Sequence, residues 1–366
     1  GEEKAAFADM SGRWPNATYV EDLSATTPYA ARIFEPARWR GEEPLRVVLI
    51  GTDFQVRVWE ALLKIPLGHA KPYSRIAAEI GAPKASRAVG AAIGAILIFV
   101  LFLVVAEPFR EASSLATVLY ASSTIGIMAC GVAMLMIGGE FDLSTGVAVT
   151  FSSLAASMLA YNLHLNLWAG AALALVLALG VGFFNGFLVM KTRIPSFLIT
   201  LSTFFMLAGI NLAVTKLVAG QVATQSVSDM QGWDSAQKVF ASSFTIGNVS
   251  IRITVVWWLV FTAIATYVLF KTKIGNWIFA VGGDAEAARA VGVPVTKVKI
   301  GLFMFVGFCA WFVGMHLLFA FNTVQSGQGV GNEFFYIIAA VIGGCLLTGG
   351  YGTAIGAAIG AFIFGM

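Results

Sequence analysis

The sequence predicts an all-α polytopic membrane bundle of about eight or nine transmembrane or re-entrant helices, with a small N-terminal α/β, helix-turn-helix-like soluble region before it. Three observations carry this expectation. The 366 residues are 58% hydrophobic and only 12% charged, with a mean hydropathy of +0.81, a balance foreign to water-soluble domains. Charge is concentrated at the front, where residues 1–94 hold 12 of the 23 Lys/Arg and 11 of the 20 Asp/Glu. Beyond residue 91, apolar runs repeatedly approach the ~20 residues that cross ~30 Å of hydrocarbon.

Taken in order, residues 1–45 are polar, and Pro15, Pro28, Pro36 and Pro44 interrupt any long helix. LRVVLIGTDF, 45–54, is β-branched and predicts a strand. FQVRVWEALLKIP then places Val58, Ala61, Leu62 and Ile65 on one face of an amphipathic helix. YSRIAAEIG and PKASRAVGAAIG follow as two short helices across Gly81-Ala82-Pro83, the spacing of a helix-turn-helix. Crossings are expected near 91–106, 114–138, 143–162, 166–190, 197–215, 253–271, 298–321 and 334–348, with a last one from 352. Lys191 and Arg193, the group Lys271, Lys273, Arg289, Lys297 and Lys299, and the basic residues between 71 and 87 fall in connections of one parity. A cytoplasmic N-terminus therefore puts all three clusters inside and the polar loop 216–252 outside. The net charge of +3 is too small to indicate a nucleic-acid partner. Cys130, Cys309 and Cys345 lie in apolar segments without metal-ligand spacing, which predicts buried packing thiols and no metal site. No cleavable signal is evident, and GAFIFGM ends in mid-span, so a C-terminally truncated bundle is expected.

Two stretches carry chemistry. In IGGEFDLSTGV, 137–147, Glu140 and Asp142 stand between apolar segments with no Lys or Arg adjacent in sequence. A carboxylate at membrane depth costs about 2.5–3.5 kcal/mol unless it meets a cavity or a partner. Gly138, Gly139 and Gly146 allow the helix to break, and a half-helix capped by Asp142, Ser144 or Thr145 would turn free N–H groups toward hydroxyl-rich or anionic solutes. A short solvated turn is the plainer alternative. In FAVGGDAEAARAVGVPVTKVKIG, 279–301, Asp284 can cap a short helix that Gly292 and Pro294 end. Such a helix either transmits force from a partner or is simply a solvated loop helix. AAVIGGCLLTGGYGTAIGAAIGAF repeats small residues at helical spacing, a pattern for close packing. His164 and His316 are expected to be interfacial or satisfied histidines.

IGGEFDLSTG, FNGFLVMKTRIPSFLITLSTF, GGDAEAARAVGVPVTKVKIGLF and AAVIGGCLLTGGYGTAIGAAIGA, in this order, resemble the permease subunits of bacterial ABC importers for simple sugars, of the ribose/xylose type, over residues 91–366. The resemblance implies that Asp284, Glu286, Arg289 and Gly292 form the surface that docks in an ABC ATPase subunit. It also implies that Glu140, Asp142, Ser144, Asn185 and Thr200 border the solute pathway. The chain would then sit in the bacterial inner membrane with a second permease copy and receive sugar from an extracytoplasmic sugar-binding protein. It would hold no cofactor and perform no catalysis, ATP being hydrolysed by the partner.

TDFQVRVWEALLKIPLGHAKPYSRIAAEIGAPKASRAVGAAIGA resembles a different family, the DNA-binding half of Ada-type methylated-DNA protein-cysteine methyltransferases, winged-helix-like from about residue 48 within 1–90. That resemblance implies vestigial DNA-binding roles for Arg87, which would enter the base stack, for Tyr73, which would help rotate the phosphate, and for Lys84. The family's Cys-His nucleophile segment is missing, and Cys130 in IMACGVAM has no adjacent base. Methyl transfer is therefore not expected, and neither is DNA as a partner. VGAAIGA suits both families, so a fusion of two truncated parts is expected at 90–96. The rival reading is a membrane-anchored, inactive DNA-repair methyltransferase.

Overall fold

In a computed structural model, the described residues are 86–366 except Asn248, with Ser24, Thr27, Arg57, Glu60, Ala61, Lys64, Ala78 and Glu79. The chain divides into two compact units, Gly1–Trp59 and Glu60–Met366. In the first, Ser24, Thr27 and Arg57 are helical; in the second, Glu60, Ala61, Ala78 and Glu79 are helical, and Ala61 is buried as its helix pattern requires. The expected strand over 45–54 and most of the helix-turn-helix pattern lie outside the described residues.

The bundle opens with α1 (Ser86–Val105), a 3-10 turn (Glu107–Arg110) and α2 (Ala112–Ile137). α1 runs without interruption through residues 90–96, so the expected junction of two families falls inside one helix. Arg110 closes α1, its guanidinium donating to the carbonyls of Leu103 at 2.8 Å and Val104 at 3.2 Å. There follow α3 (Thr145–Asn162), α4 (Leu167–Thr192) and α5 (Ser196–Ala219). α6 (Trp233–Phe240) and an antiparallel hairpin, β1 (Ser243–Ile246) with β2 (Val249–Arg252), precede α7 (Ile253–Lys271), α8 (Lys273–Gly283) and α9 (Ala285–Ala290). The chain described ends with α10 (Val295–Phe321), α11 (Asn332–Ile342) and α12 (Ala354–Gly365).

The core forms around α2, α3 and α10. α2 packs against α7, α10, α11 and α12, and α10 against α3 and α4. The outer helices keep an apolar outer face: Val176, Phe183 and Phe184 on α4, Phe197 and Phe205 on α5, and Leu259 and Tyr267 on α7 are exposed. Exposed apolar surface of that extent suits lipid as the surrounding solvent. Among the described residues five helices, α2, α4, α5, α7 and α10, are long and apolar enough to cross a membrane. α3 falls short because it is rich in hydroxyls, and 13 of its 18 residues are buried, so it faces protein. The expected crossing over 334–348 is corrected. α11 stops at Ile342, and 343–353 is irregular, with left-handed Gly344, Gly349 and Gly350.

The polar loop 216–252 carries structure of its own, α6 and the β1–β2 hairpin. Phe240 at the end of α6 stacks on Phe319 of α10 at 5.6 Å between ring centres, and its carbonyl lies 2.8 Å from His316 Nδ1. His316 Nε2 lies 3.0 Å from the Tyr120 hydroxyl, so this histidine is satisfied inside the bundle, as its apolar setting predicted. The three cysteines are free and buried, as expected.

Candidate functional site: a buried turn and an exposed short helix

Residues 138–144 break the helical course between α2 and α3. Gly139 adopts φ +82°, and the Glu140 N–H reaches back to the Leu135 carbonyl at 3.2 Å, closing α2 as a left-handed glycine cap does. Beyond the cap the backbone is held by side chains of α5, placed one helical turn apart. Phe141 N–H donates to Ser196 Oγ at 3.0 Å and Leu143 N–H to Thr200 Oγ1 at 3.1 Å.

Asp142 lies at the centre, only 4% exposed. Its Oδ1 accepts from the Ser144 N–H at 2.8 Å and from the Ser144 hydroxyl at 2.5 Å. Asn185 of α4 donates to Ser144 Oγ at 3.1 Å and accepts from Thr203 Oγ1 of α5 at 2.6 Å. Asp142, Ser144, Asn185 and Thr203 therefore form one chain of hydrogen bonds, and Thr200 fastens the same turn beside it. The N–H groups of Phe141, Leu143 and Ser144, which precede α3, are not free, because protein side chains already accept from them. Ser144 occupies the N-cap position of α3 but makes no side-chain cap hydrogen bond there. Its hydroxyl is committed to Asp142 and Asn185.

Glu140 stands apart from this network and forms an ion pair with Lys299 of α10, both side chains being largely buried. The sequence showed no cation near Glu140 because its partner is 159 residues further on. Thr203 was also missed, although its place one turn beyond Thr200, facing an asparagine, is the available signal. Among the described residues five side-chain polar atoms are buried without a hydrogen-bond partner: Thr254 Oγ1 and Trp258 Nε1 on α7, and a group of three, Thr145 Oγ1, Thr150 Oγ1 and Asn211 Oδ1. Such atoms cost about 1–3 kcal/mol each, and the group of three lies on α3 and on α5, which packs against it.

The second constellation is α9. Asp284 caps it as expected, its Oδ1 accepting from the N–H of Glu286 at 2.9 Å and of Ala287 at 3.0 Å. Ala288 is buried beneath it, while Glu286, Arg289 and Gly292 are exposed. Gly292 adopts φ +87°, which turns the chain out of the helix before Pro294 starts α10. Of the residues expected to touch DNA, Tyr73 and Lys84 lie outside the described residues, and Arg87 is described only as part of the α1 helix.

Comparison with known proteins sorts these features. Residues 114–366 match the family described as branched-chain amino acid transport system / permease component. Residues 53–101 match the DNA-binding domain of 6-O-methylguanine DNA methyltransferase. The ribose import permease protein of Escherichia coli (strain K12) is 30% identical over 274 residues, covering 74% of this chain and 82% of that protein. The fructose import permease protein of Rhizobium meliloti is 28% identical, covering 70% of each. The L-arabinose ABC transporter permease protein of Azospirillum brasilense is 29% identical, covering 74% of this chain and 76% of that protein. No solved structure matches.

Proposed function

The chain belongs to the permease-component family of branched-chain amino acid transport systems, and on that premise we propose that it is the membrane subunit of an ATP-driven ABC importer of simple sugars. It is a multi-pass membrane protein, and the ribose, fructose and arabinose permeases to which it is similar support sugars as its cargo. The observation that carries the reading is the buried turn 138–144, which interrupts the helical course inside the bundle and is fastened by polar side chains from α4 and α5.

In this reading Glu140, Asp142, Ser144, Asn185 and Thr200 border the pathway as its frame. Their polar atoms are engaged with one another, with Thr203, with the backbone of the turn and of α5, or with Lys299, so they fix where α3 begins instead of binding solute directly. The unpartnered oxygens of Thr145, Thr150 and Asn211 are the atoms that sugar hydroxyls can satisfy once the bundle opens. α9, with Asp284, Glu286, Arg289 and Gly292, docks in an ABC ATPase subunit, which hydrolyses ATP. A substrate-binding protein delivers the sugar outside, and a second permease copy completes the path. The N-terminus and α9 face the cytoplasm and 220–252 faces outward. The hydrogen bond from Leu167 N–H to the Gln231 carbonyl, 3.0 Å, supports this by placing the α3–α4 connection on the same side as 220–252. Residues 1–90 are the methyltransferase-like region and 91–366 the permease region, with the boundary inside α1.

Uptake of radiolabelled ribose, fructose and arabinose into vesicles, with the chain co-expressed beside an ABC ATPase and a sugar-binding protein, tests the function. ATP-dependent uptake of at least one is expected; uptake of none, with the ATPase failing to co-purify, overturns it.

A further inference from the structure

Two charges in the bundle sit where helix electrostatics oppose them. Glu140 follows the C-terminal end of α2, where partial negative charge gathers, and Lys299 lies in the second turn of α10, near its positive end. Neither placement stabilises its own helix. Each side chain is largely buried and ion-paired to the other, so the pair is understood through what it joins: the turn 138–144 and the start of α10.

α10 begins directly after α9 and its Gly292–Pro294 exit. The other flank of α9 reaches the same turn by a different route. α8 ends at Gly283, one residue before the cap of α9, and Gly282 lies so close to α2 that a Cβ there would run into the Ile137 carbonyl. The irregular segment after α11 packs into the same place. Gly350 N–H donates to the Ile137 carbonyl at 2.8 Å, and a Cβ on Gly349 would lie 2.7 Å from both Gly139 Cα and the Gly282 carbonyl oxygen. Backbone meets backbone here without intervening side chains, so a displacement of one segment has no soft layer in which to be absorbed.

We propose that Lys299 is a positioning residue of transport: through Glu140 it ties the downstream arm of α9 to the turn that starts α3, while Gly282 ties the upstream arm to the same turn. This rests on the reading of α9 as the ATPase-docking helix. With both arms landing on one turn, a shift of α9 moves the start of α3 and the 343–353 segment together. Without the ion pair the downstream arm moves on its own, and ATP is hydrolysed without moving solute.

The experiment compares the wild-type chain with Lys299→Met, Lys299→Arg and the exchanged pair Glu140→Lys/Lys299→Glu. Each is co-expressed with the ABC ATPase and binding protein, and co-purification, ATP hydrolysis and uptake of labelled ribose, fructose and arabinose are measured. For Lys299→Met the ATPase is expected to co-purify and hydrolyse ATP within about twofold of wild type, while sugar moved per ATP falls about tenfold. Lys299→Arg is expected to keep the wild-type ratio, and the exchanged pair to recover most of it. An unchanged ratio in Lys299→Met overturns the proposal. So does loss of co-purification and uptake together without recovery in the exchanged pair, which would leave only a structural role. A wild-type chain that binds no ATPase overturns the docking reading itself, and this proposal falls with it; that outcome is seen before any variant is compared.

Discussion

Asn185 gives a hydrogen bond to Ser144 and takes one from Thr203, with no exposure to solvent. Replacing it with Leu removes one hydrogen-bond partner from each hydroxyl, leaving Ser144 on Asp142 and Thr203 on the Ile199 carbonyl, and the expected cost is about 1–3 kcal/mol, read as a lower thermal midpoint of the detergent-solubilised chain. An unchanged midpoint would show that the turn is not fastened there. Asp142→Ala removes the acceptor of two hydrogen bonds and frees the start of α3, so sugar uptake is expected to fall about tenfold, with the chain still in the membrane fraction; normal uptake would remove Asp142 from the frame. Asp142 and Ser144 were legible in the sequence because acids and hydroxyls beside glycines inside an apolar run are costly without a purpose. Lys299 was not, because a cation in the first turns of a helix near other basic residues looks like a membrane-edge charge, and only folding brings Glu140 to it.

α9 was legible as an element because its start and stop signals are local: an aspartate cap, six helix-forming residues and a left-handed glycine. Its exposed face makes a sharp prediction. Glu286→Ala together with Arg289→Ala is expected to weaken ATPase co-purification about tenfold, with membrane insertion unchanged; full retention of the ATPase would rule out α9 as the docking element. α11 and α12 show the converse. The run over 334–348 is apolar enough to suggest a crossing, yet the helix ends at Ile342, where Gly343 meets the backbone of Gly356. Hydropathy reports how much a segment prefers lipid or core. It does not report where two backbones touch, and that contact decides the break. In the loop 216–252 the average polarity hides Phe240, whose partners Trp311, Phe312 and Phe319 lie more than seventy residues away on α10.

For the molecule as a whole, the apolar outer faces of α4, α5 and α7 require detergent or lipid, and the chain is expected to partition with membranes and precipitate when detergent is removed. DNA carrying a radiolabelled O6-methylguanine is expected to transfer no label to the chain. All three thiols are buried and none has a neighbouring histidine in sequence, and a labelled chain would revive the repair reading. The sequence by itself determined that most of the chain is a helical membrane bundle, roughly where its helices lie, and which short stretches break the apolar pattern with acids, caps and glycines. Hydrophobic run length, caps and glycines are local quantities, and a single chain displays them in order. Only the tertiary structure decided that Asp142, Asn185 and Thr203 form one network, that Lys299 answers Glu140, and that both arms of α9 meet a single turn. These are pairings between residues far apart in the chain, fixed by which helices can pack closely enough to exclude everything between them.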